Sequence, residues 1–397
     1  MSTAVPRRSP GLLLAGTVAL LLVTMIASFT PTPLFPTYQD RWGLTEAQVS
    51  LVFAGYPAGV VVVLLGLGGL SDRIGRRPTL LLGAAVLVAA MLVLTSAGSL
   101  APLLAGRLLQ GLGAGLITGA AAAALMDLHP GGPDSGSFVN TLAISLGAAL
   151  GPVVAGTLAD ASSRPLAVPY LAVVLLMLVP VALLLLRRGQ SAPAPGRGRI
   201  VQPARVARRI WLPFSVAAGG VVVTNTCMSL YGAFGPLVAH AVGWTSEAAA
   251  GRLVSLCLGA VAVAQVAGRR LEPLPAVRVG AVMAALGWAL TAYGASAGLP
   301  WPVLVGTALL GSGAGLCLLG GASLIGRIAA PERRAETYSA FLVVAFGTLG
   351  GAALLAGPVL GHLSLTVVLL GATTLTAAVA VQVSATALAL ARRAAAA

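Results

Sequence analysis

The chain has 397 residues, of which 58% are hydrophobic and only 9% are charged, and its formal net charge is +14. A soluble protein usually carries roughly 25% charged residues, so this composition excludes a large soluble domain and favours a helical membrane protein. The basic residues lie between apolar runs, and we therefore attribute them to membrane topology and not to nucleic-acid binding.

Apolar segments long enough to cross a bilayer recur along the whole chain. A spanning helix needs about 20 predominantly apolar residues. Twelve segments meet this requirement, and the sequence therefore predicts an all-α membrane protein with twelve transmembrane helices. The predicted spans are 11–36, 47–70, 79–97, 101–126, 137–158, 167–186, 212–239, 248–267, 276–296, 302–325, 337–359 and 365–391.

Arginine supplies all 24 basic residues and is distributed unequally between the loops. With the N-terminus in the cytoplasm, 20 arginines fall on the cytoplasmic side, Arg41, Arg164 and Arg252 fall outside, and Arg107 lies within a span. This bias follows the positive-inside rule. Together with the heavy use of alanine, glycine and arginine, it predicts a multi-pass protein of a bacterial cytoplasmic (inner) membrane with both termini in the cytoplasm.

A polar break divides the chain near its middle. Residues 187–211 are rich in arginine, proline and glycine, which argues against a packed core. We interpret them as a cytoplasmic linker between an N-terminal six-helix bundle, 1–186, and a C-terminal six-helix bundle, 212–397.

Short segments of the first half return in the second half in the same order. The pairs are GLGAGL at 111–116 with GSGAGL at 311–316, GPVVAG at 151–156 with GPVLGH at 357–362, and FPTYQDRWGLTEA near 35–47 with GPLVAHAVGWTSEA at 235–248. The repetition predicts two pseudo-symmetric bundles. Duplicated bundles are a common plan of secondary transporters, which bind substrate between the repeats near the bilayer midplane.

The most specific motif is GGLSDRIGRRPTL at 68–80, in a predicted cytoplasmic turn between the second and third spans. It resembles the signature loop of the major facilitator superfamily of transporters. The resemblance implies two six-helix bundles that rock about a central site, and a charged loop that latches helices in one state and releases them in another. The residues assigned to this conformational latch are Gly68, Asp72, Arg73, Gly75, Arg76 and Arg77.

Three further motifs resemble the twelve-helix drug/proton antiporter branch of that superfamily. PLFP at 33–36 is similar to a motif at the outer end of the first helix, and Arg107, Gln110, Gly111 and Gly113 fit an Arg-x-x-Gln-Gly-x-Gly motif of the fourth. The fifth segment carries a Gly-Pro motif typical of antiporters, although plain helix packing would also require small residues there. Its residues are Gly147, Gly151, Pro152 and Gly156.

The resemblance implies that Arg107 serves proton coupling by acting on an acidic partner. All ten acidic residues fall at or near predicted helix ends, and Asp40 is the best partner because it lies on the outward side, like Arg107. An alternative is that Arg107 only extends to the membrane interface. The lack of an acid within the spans also keeps open a uniporter or a proton symporter for a sugar or other nutrient.

Few polar side chains lie within the predicted spans, and those few are the candidates for substrate binding. They indicate a cavity for neutral or lipophilic organic compounds, with cations also allowed, in preference to phosphorylated or polyacidic ones. The candidates are Gln110, Asn140, Asn225, Thr226, Tyr231, Gln265, Trp288 and Tyr293.

Other functions find little support in the sequence. The three histidines and three cysteines show no metal-ligand spacing, and no nucleotide-binding loop is present, so we predict no metal, no cofactor and no enzymatic activity. A non-transporting membrane sensor remains a further alternative. The predicted partners are a small-molecule substrate, protons as the coupling ion and membrane lipid, and no nucleic acid.

Overall fold

The computed structural model describes residues 11–186, 206–329 and 334–395, which form α-helices joined by short connections. The helices are α1 (Gly11–Phe29), α2 (Phe35–Trp42), α3 (Glu46–Gly66), α4 (Leu70–Ile74), α5 (Arg76–Thr95), α6 (Leu100–Leu128), α7 (Gly132–Asp160), α8 (Val168–Leu186), α9 (Trp211–His240), α10 (Glu247–Ala267), α11 (Pro273–Ala297), α12 (Pro300–Ile328), α13 (Arg334–Leu360) and α14 (Leu365–Ala395).

Among the described residues, twelve helical segments are long and apolar enough to cross a membrane, which confirms the predicted number. The first span differs in detail from the prediction, because α1 ends at Phe29 and a 3-10 turn leads into α2. Pro31 and Pro33 lack the N–H that would continue the helix. Residues 187–205 of the predicted linker lie outside the described residues, and α9 begins at Trp211.

Glycines repeat the same packing in both halves. A Cβ on Gly111 of α6 would lie 2.1 Å from a backbone oxygen of α3, and a Cβ on Gly113 would lie within 3.0 Å of the α5 backbone. In the second half, Gly311 and Gly313 of α12 approach the α10 and α11 backbones equally closely, at 2.2 Å and 2.4 Å. Small residues allow such close approach of membrane helices. The GLGAGL and GSGAGL segments therefore occupy equivalent places in two pseudo-symmetric bundles.

The two bundles also begin equivalent helices in the same way. Thr45 caps α3, since its hydroxyl oxygen accepts the N–H of Gln48 at 3.3 Å, and Ser246 caps α10 by accepting the N–H of Ala249 at 3.1 Å. Each cap precedes a Glu-Ala pair. The faint similarity of these segments thus reflects a shared helix N-cap.

The halves meet mainly through two symmetry-related helix pairs, α7 with α10 and α3 with α13. We call the end of the bundle that carries Arg76 and Arg269 the basic end, and the opposite end, where α3 and α10 begin, the distal end. Gly357 of α13 packs against Ser50 of α3, 2.3 Å from its hydroxyl when a Cβ is added. The α3–α13 contact therefore lies toward the distal end.

Polar contacts between the halves close the distal end. The Asp160 carboxylate, at the end of α7, accepts the N–H groups of Glu247 and Ala248 at 3.1 Å each, so it caps α10 of the other half. The Thr37 hydroxyl donates to the Glu247 carboxylate at 2.5 Å. Because this helix cap comes from the other half, it stabilises the closed distal end, and it is lost when the halves move apart there.

Replacing Asp160 with alanine should weaken this closure, because the first turn of α10 loses both acceptors. A helix cap contributes about 1 kcal/mol, so the ratio of closed to open distal ends should fall roughly fivefold. Spin labels at Ser163→Cys and Ala297→Cys, one in each half, report the opening as a longer distance in nanodiscs.

Thr157→Ala provides the matched control for the Asp160 variant. Thr157 lies one turn earlier on α7, and its hydroxyl donates to the carbonyl of Val153 in its own helix at 2.7 Å. Its distance distribution should match that of the unsubstituted protein. An unchanged distribution in the Asp160 variant would show that the cap contributes nothing to closure.

Candidate functional site

A buried arginine lies in the first half, close to the interface between the halves. Arg107 of α6 is 1% exposed and is the one charged side chain that is buried among the described residues. Its Nε donates to the carbonyl of Val52 at 3.2 Å, and its Nη2 donates to that of Phe53 at 3.4 Å. Nη1 donates to the carbonyl of Ser28 at 3.1 Å and to Oε1 of Gln110. One guanidinium thus joins α1, α3 and α6.

Prolines remove the usual i+4 helical donor of two acceptors in this network. In a helix the carbonyl of residue i accepts the N–H of residue i+4. Pro57 stands four residues after Phe53, inside α3, and Pro31 stands four residues after Ala27, at the end of α1. Because proline has no N–H, neither carbonyl has the i+4 donor of a regular helix, although the Ala27 carbonyl accepts the N–H of Thr30 at 3.3 Å. Gln110 Nε2 donates to the carbonyl of Ala27 at 2.5 Å.

Aromatic rings complete the surroundings of the guanidinium. The Arg107 Cζ lies 5.2 Å from the ring centroid of Tyr56 and 5.9 Å from that of Phe53. The Phe53 ring also meets α9, where a Cβ on Gly232 would lie 2.4 Å from Cε2. A single aromatic ring therefore separates the buried charge from the second half of the protein.

No carboxylate reaches Arg107 among the described residues. The three salt bridges of the described chain join Arg76 to Asp72 and Asp127, and Arg327 to Glu272, all at the basic end. Asp40, the predicted proton-coupling partner, lies exposed on α2. The structure does not bring Asp40 and Arg107 together, and their pairing stays a prediction.

The Gly-Pro motif of α7 serves two different interfaces. A Cβ on Gly147 or Gly151 would collide with α1, within 2.4 Å and 2.8 Å of its backbone oxygens. Gly156 and Pro152 instead face the other half, where a Cβ on Gly156 would lie 2.3 Å from the backbone oxygen of Glu247. The motif therefore permits tight packing inside one half and close contact between the halves.

The predicted substrate residues of α9 differ in their surroundings. Asn225 donates its amide to the carbonyl of Ala345 in α13 at 2.8 Å. The hydroxyl of Thr226 is buried without a hydrogen-bond partner, as is that of Ser229, which the sequence analysis missed. The 200-residue offset between GLGAGL and GSGAGL places Thr307 opposite Arg107 in the repeat. The Thr307 hydroxyl is hydrogen-bonded to the Tyr231 hydroxyl at 2.5 Å, so this position of the second half makes a neutral contact.

Other predicted substrate residues are dispersed. Gln265 of α10 accepts the Ser145 hydroxyl of α7 at 2.7 Å, which makes it a contact between the halves. Trp288 is fully buried against Tyr231, with ring centroids 5.6 Å apart. Asn140 is half-buried and its Oδ1 has no partner, whereas Tyr293 is 55% exposed on α11, a helix whose main contacts are with α12 and α14. The Oε1 atom of Gln110 accepts a hydrogen bond from Arg107.

The predicted latch forms a network at the basic end of the first half. Arg76 is paired with Asp72 and reaches Asp127 at the end of α6, 3.3 Å away. Arg77 donates to the carbonyls of Leu184 and Leu185 at the end of α8, at 2.7 Å and 3.3 Å. These bonds tie α5 to α6 and α8.

The glycines of the latch shape its turns. Gly75 has φ 97° and ψ 156°, a conformation that favours glycine, and it separates α4 from α5. Gly68 lies in the exposed turn after α3, and Arg73 is exposed on α4. The second half carries a related ion pair, in which Glu272 pairs with Arg327 at 2.6 Å. By the 200-residue offset of the repeats, Glu272 occupies the place of Asp72, and Arg327 occupies the place of Asp127 with the opposite charge.

Comparison with known proteins decides the family. Residues 17–353 match the family model described as Major Facilitator Superfamily. The chain belongs to this superfamily. Curated relatives include the multidrug resistance protein MdtL of Escherichia coli O45:K1 (strain S88 / ExPEC), 38% identical over 114 residues, and MdtL of Klebsiella pneumoniae (strain 342), 33% identical over 102 residues. These matches cover 26% and 23% of this chain, and 29% and 26% of the relatives.

Solved structures of transporters share the fold over nearly the whole chain. The nucleoside transporter NupG gives a TM-score of 0.72 at 12% identity, over 94% of this chain and 99% of that one. The human organic anion transporter MFSD10 (TETRAN) gives 0.67 at 17% identity, over 95% and 100%. The chain is therefore a multi-pass membrane protein of this superfamily, and it has the same fold as these transporters.

The Gly111→Ala variant tests how the buried arginine is positioned. The added methyl group would meet the Tyr56 carbonyl at 2.1 Å, so α6 and α3 must separate and the acceptors of Arg107 must move. We expect a loss of about 1–3 kcal/mol of stability, as for other overpacked sites, seen as a lower melting temperature in detergent.

Gly119→Ala is the control on the same helix, since a Cβ there has nothing within 4 Å. It should melt at the temperature of the unsubstituted protein. Equal melting temperatures for both variants would contradict the close α3–α6 packing on which the Arg107 network depends.

Proposed function

We propose that this protein exports small neutral or lipophilic organic compounds across a bacterial cytoplasmic membrane by alternating access, as a proton antiporter. The observation that carries the proposal is the buried Arg107, which ties together three helices one aromatic ring away from the other half. The low-identity relation to MdtL proteins supports drug-like substrates.

The arrangement of contacts suits alternating access. The distal end is closed by the Asp160 cap, the Thr37–Glu247 bond and glycine contacts, none of which is covalent. The latch of Arg76 and Arg77 stabilises the first half as a unit at the basic end. In the proposed cycle the halves part at the distal end and close at the basic end, which faces the cytoplasm under the positive-inside rule.

The proposed coupling assigns Arg107 to the proton step with Asp40 as its partner. A carboxylate near a guanidinium is favoured in its charged form, and it binds a proton more readily when the two groups separate. Relative motion of α2 and α6 between states would supply this change. A uniporter is the alternative, and it is favoured by the neutral partners of Arg107 in the present state.

Inside-out vesicles with an acidified interior test the proposal. We expect at least one member of a panel of lipophilic drugs to collapse the pH gradient, as reported by a fluorescent dye. Arg107→Ala should abolish the effect, and Asp40→Asn should weaken it and alter its pH dependence. The Gly119→Ala variant, whose added methyl group meets open space, is the folded control.

The other outcomes separate the alternatives. Uptake of a labelled drug without proton movement would replace antiport by facilitated diffusion. No uptake of any compound, with the control variant correctly inserted, would contradict the proposed export.

A further inference from the structure

The charge of Arg107 has no counter-charge in the described bundle. Its four hydrogen-bond acceptors are three backbone carbonyls and one amide oxygen, all of them neutral dipoles. Dipoles orient toward a charge and lower its self-energy, but they leave its net charge in place. The described interior therefore carries one uncompensated positive charge.

No acidic side chain of the described chain forms a salt bridge with Arg107. The acidic residues with described side chains that flank the membrane helices are Asp40, Glu46, Asp72, Asp127, Asp160, Glu247, Glu272 and Glu336. Several have local roles, since Asp160 caps α10, and Asp72 and Asp127 contact Arg76. Charges interact more strongly in an apolar interior than in water, and Arg107 is the one buried charged side chain among the described residues.

The second half carries unpartnered hydroxyl groups on α9, the helix that meets the Phe53 ring. Ser229 lies three residues before Gly232, so both are on one face of α9, and Gly232 is the residue that meets the Phe53 ring. The Ser229 hydroxyl is fully buried and has no partner, and the Thr226 hydroxyl is 2% exposed and equally unpartnered. Unpaired buried hydroxyls are costly unless a water or a ligand satisfies them.

We infer that the binding site between the halves selects lipophilic organic anions over lipophilic cations, and that the uncompensated charge of Arg107 sets this preference. Ser229 and Thr226 supply donors to the same anion. The inference rests on the proposed transport function, because it names the class of substrate that the transporter binds. It reverses the expectation from sequence that cations would also be accepted.

Two ions of equal shape and opposite charge test the inference. Tetraphenylborate and tetraphenylphosphonium are titrated calorimetrically into the purified full-length protein, in the same detergent and in sodium buffers. We expect tetraphenylborate to bind at least about tenfold more tightly, since opposite charges attract and like charges repel across a medium of low dielectric constant. Comparison among variants removes the contribution of the detergent micelle.

Three variants assign the preference to the buried charge. Arg107→Gln should abolish the preference, and Arg107→Lys, which keeps the charge, should retain it. Arg252→Gln removes one charge from an exposed position on α10 and should leave the preference unchanged. If the Arg107→Gln protein does not fold, the unsubstituted protein and the Arg107→Lys variant still test the inference. Both should bind tetraphenylborate more tightly than tetraphenylphosphonium.

Equal affinity for the two ions, tighter binding of tetraphenylphosphonium, or binding of neither ion would overturn the inference. So would a preference that persists in a folded Arg107→Gln protein. These failures are distinct from failure of the proposed function, which the vesicle assay measures separately. Export of cationic drugs would support the proposed export and contradict the anion preference. Anion-selective binding without transport would support the anion preference and contradict the proposed export.

Discussion

A guanidinium buried in an apolar helix bundle must find its hydrogen-bond acceptors inside the protein, and this requirement shapes the first half of the chain. An unsatisfied charge within a membrane is costly. Here the acceptors come from backbone carbonyls of α1 and α3 and from Gln110. Pro31 and Pro57 withhold the N–H groups that would otherwise occupy two carbonyls of the network. Helix irregularity and the buried charge are therefore parts of one arrangement.

The same arrangement connects the site to the movement of the halves. The network fixes the α3 backbone at Val52 and Phe53, and the Phe53 ring rests on Gly232 of α9. Toward the distal end, α3 continues into the contact of Ser50 with Gly357. A change at the guanidinium would thus act on the α3 segment that contributes to both the α9 and the α13 interfaces. The symmetric α7–α10 pair closes the other side of the interface through Asp160 and Gly156.

Much of the fold could be predicted from sequence because hydropathy and charge determine it. The twelve spans follow from apolar length, and the GLGAGL and GSGAGL repeats correspond to glycines with the same packing roles. The site was harder to predict, because hydropathy does not show which atoms meet. Phe53, Asp160 and Ser229 carry no distinctive local pattern. One available signal was missed, namely that Pro57 and Pro31 each follow by four residues a carbonyl that the network uses.

An experimental structure of the protein in lipid nanodiscs, at a resolution that shows side chains, tests the central claim most directly. The account predicts that the guanidinium of Arg107 is enclosed by the carbonyls of Ser28, Val52 and Phe53 and by Gln110, with no carboxylate or lipid phosphate within hydrogen-bond distance. An acidic side chain or a phosphate on the guanidinium while the distal end is closed would contradict it, because the interior charge would then be neutralised and could not select an anionic substrate.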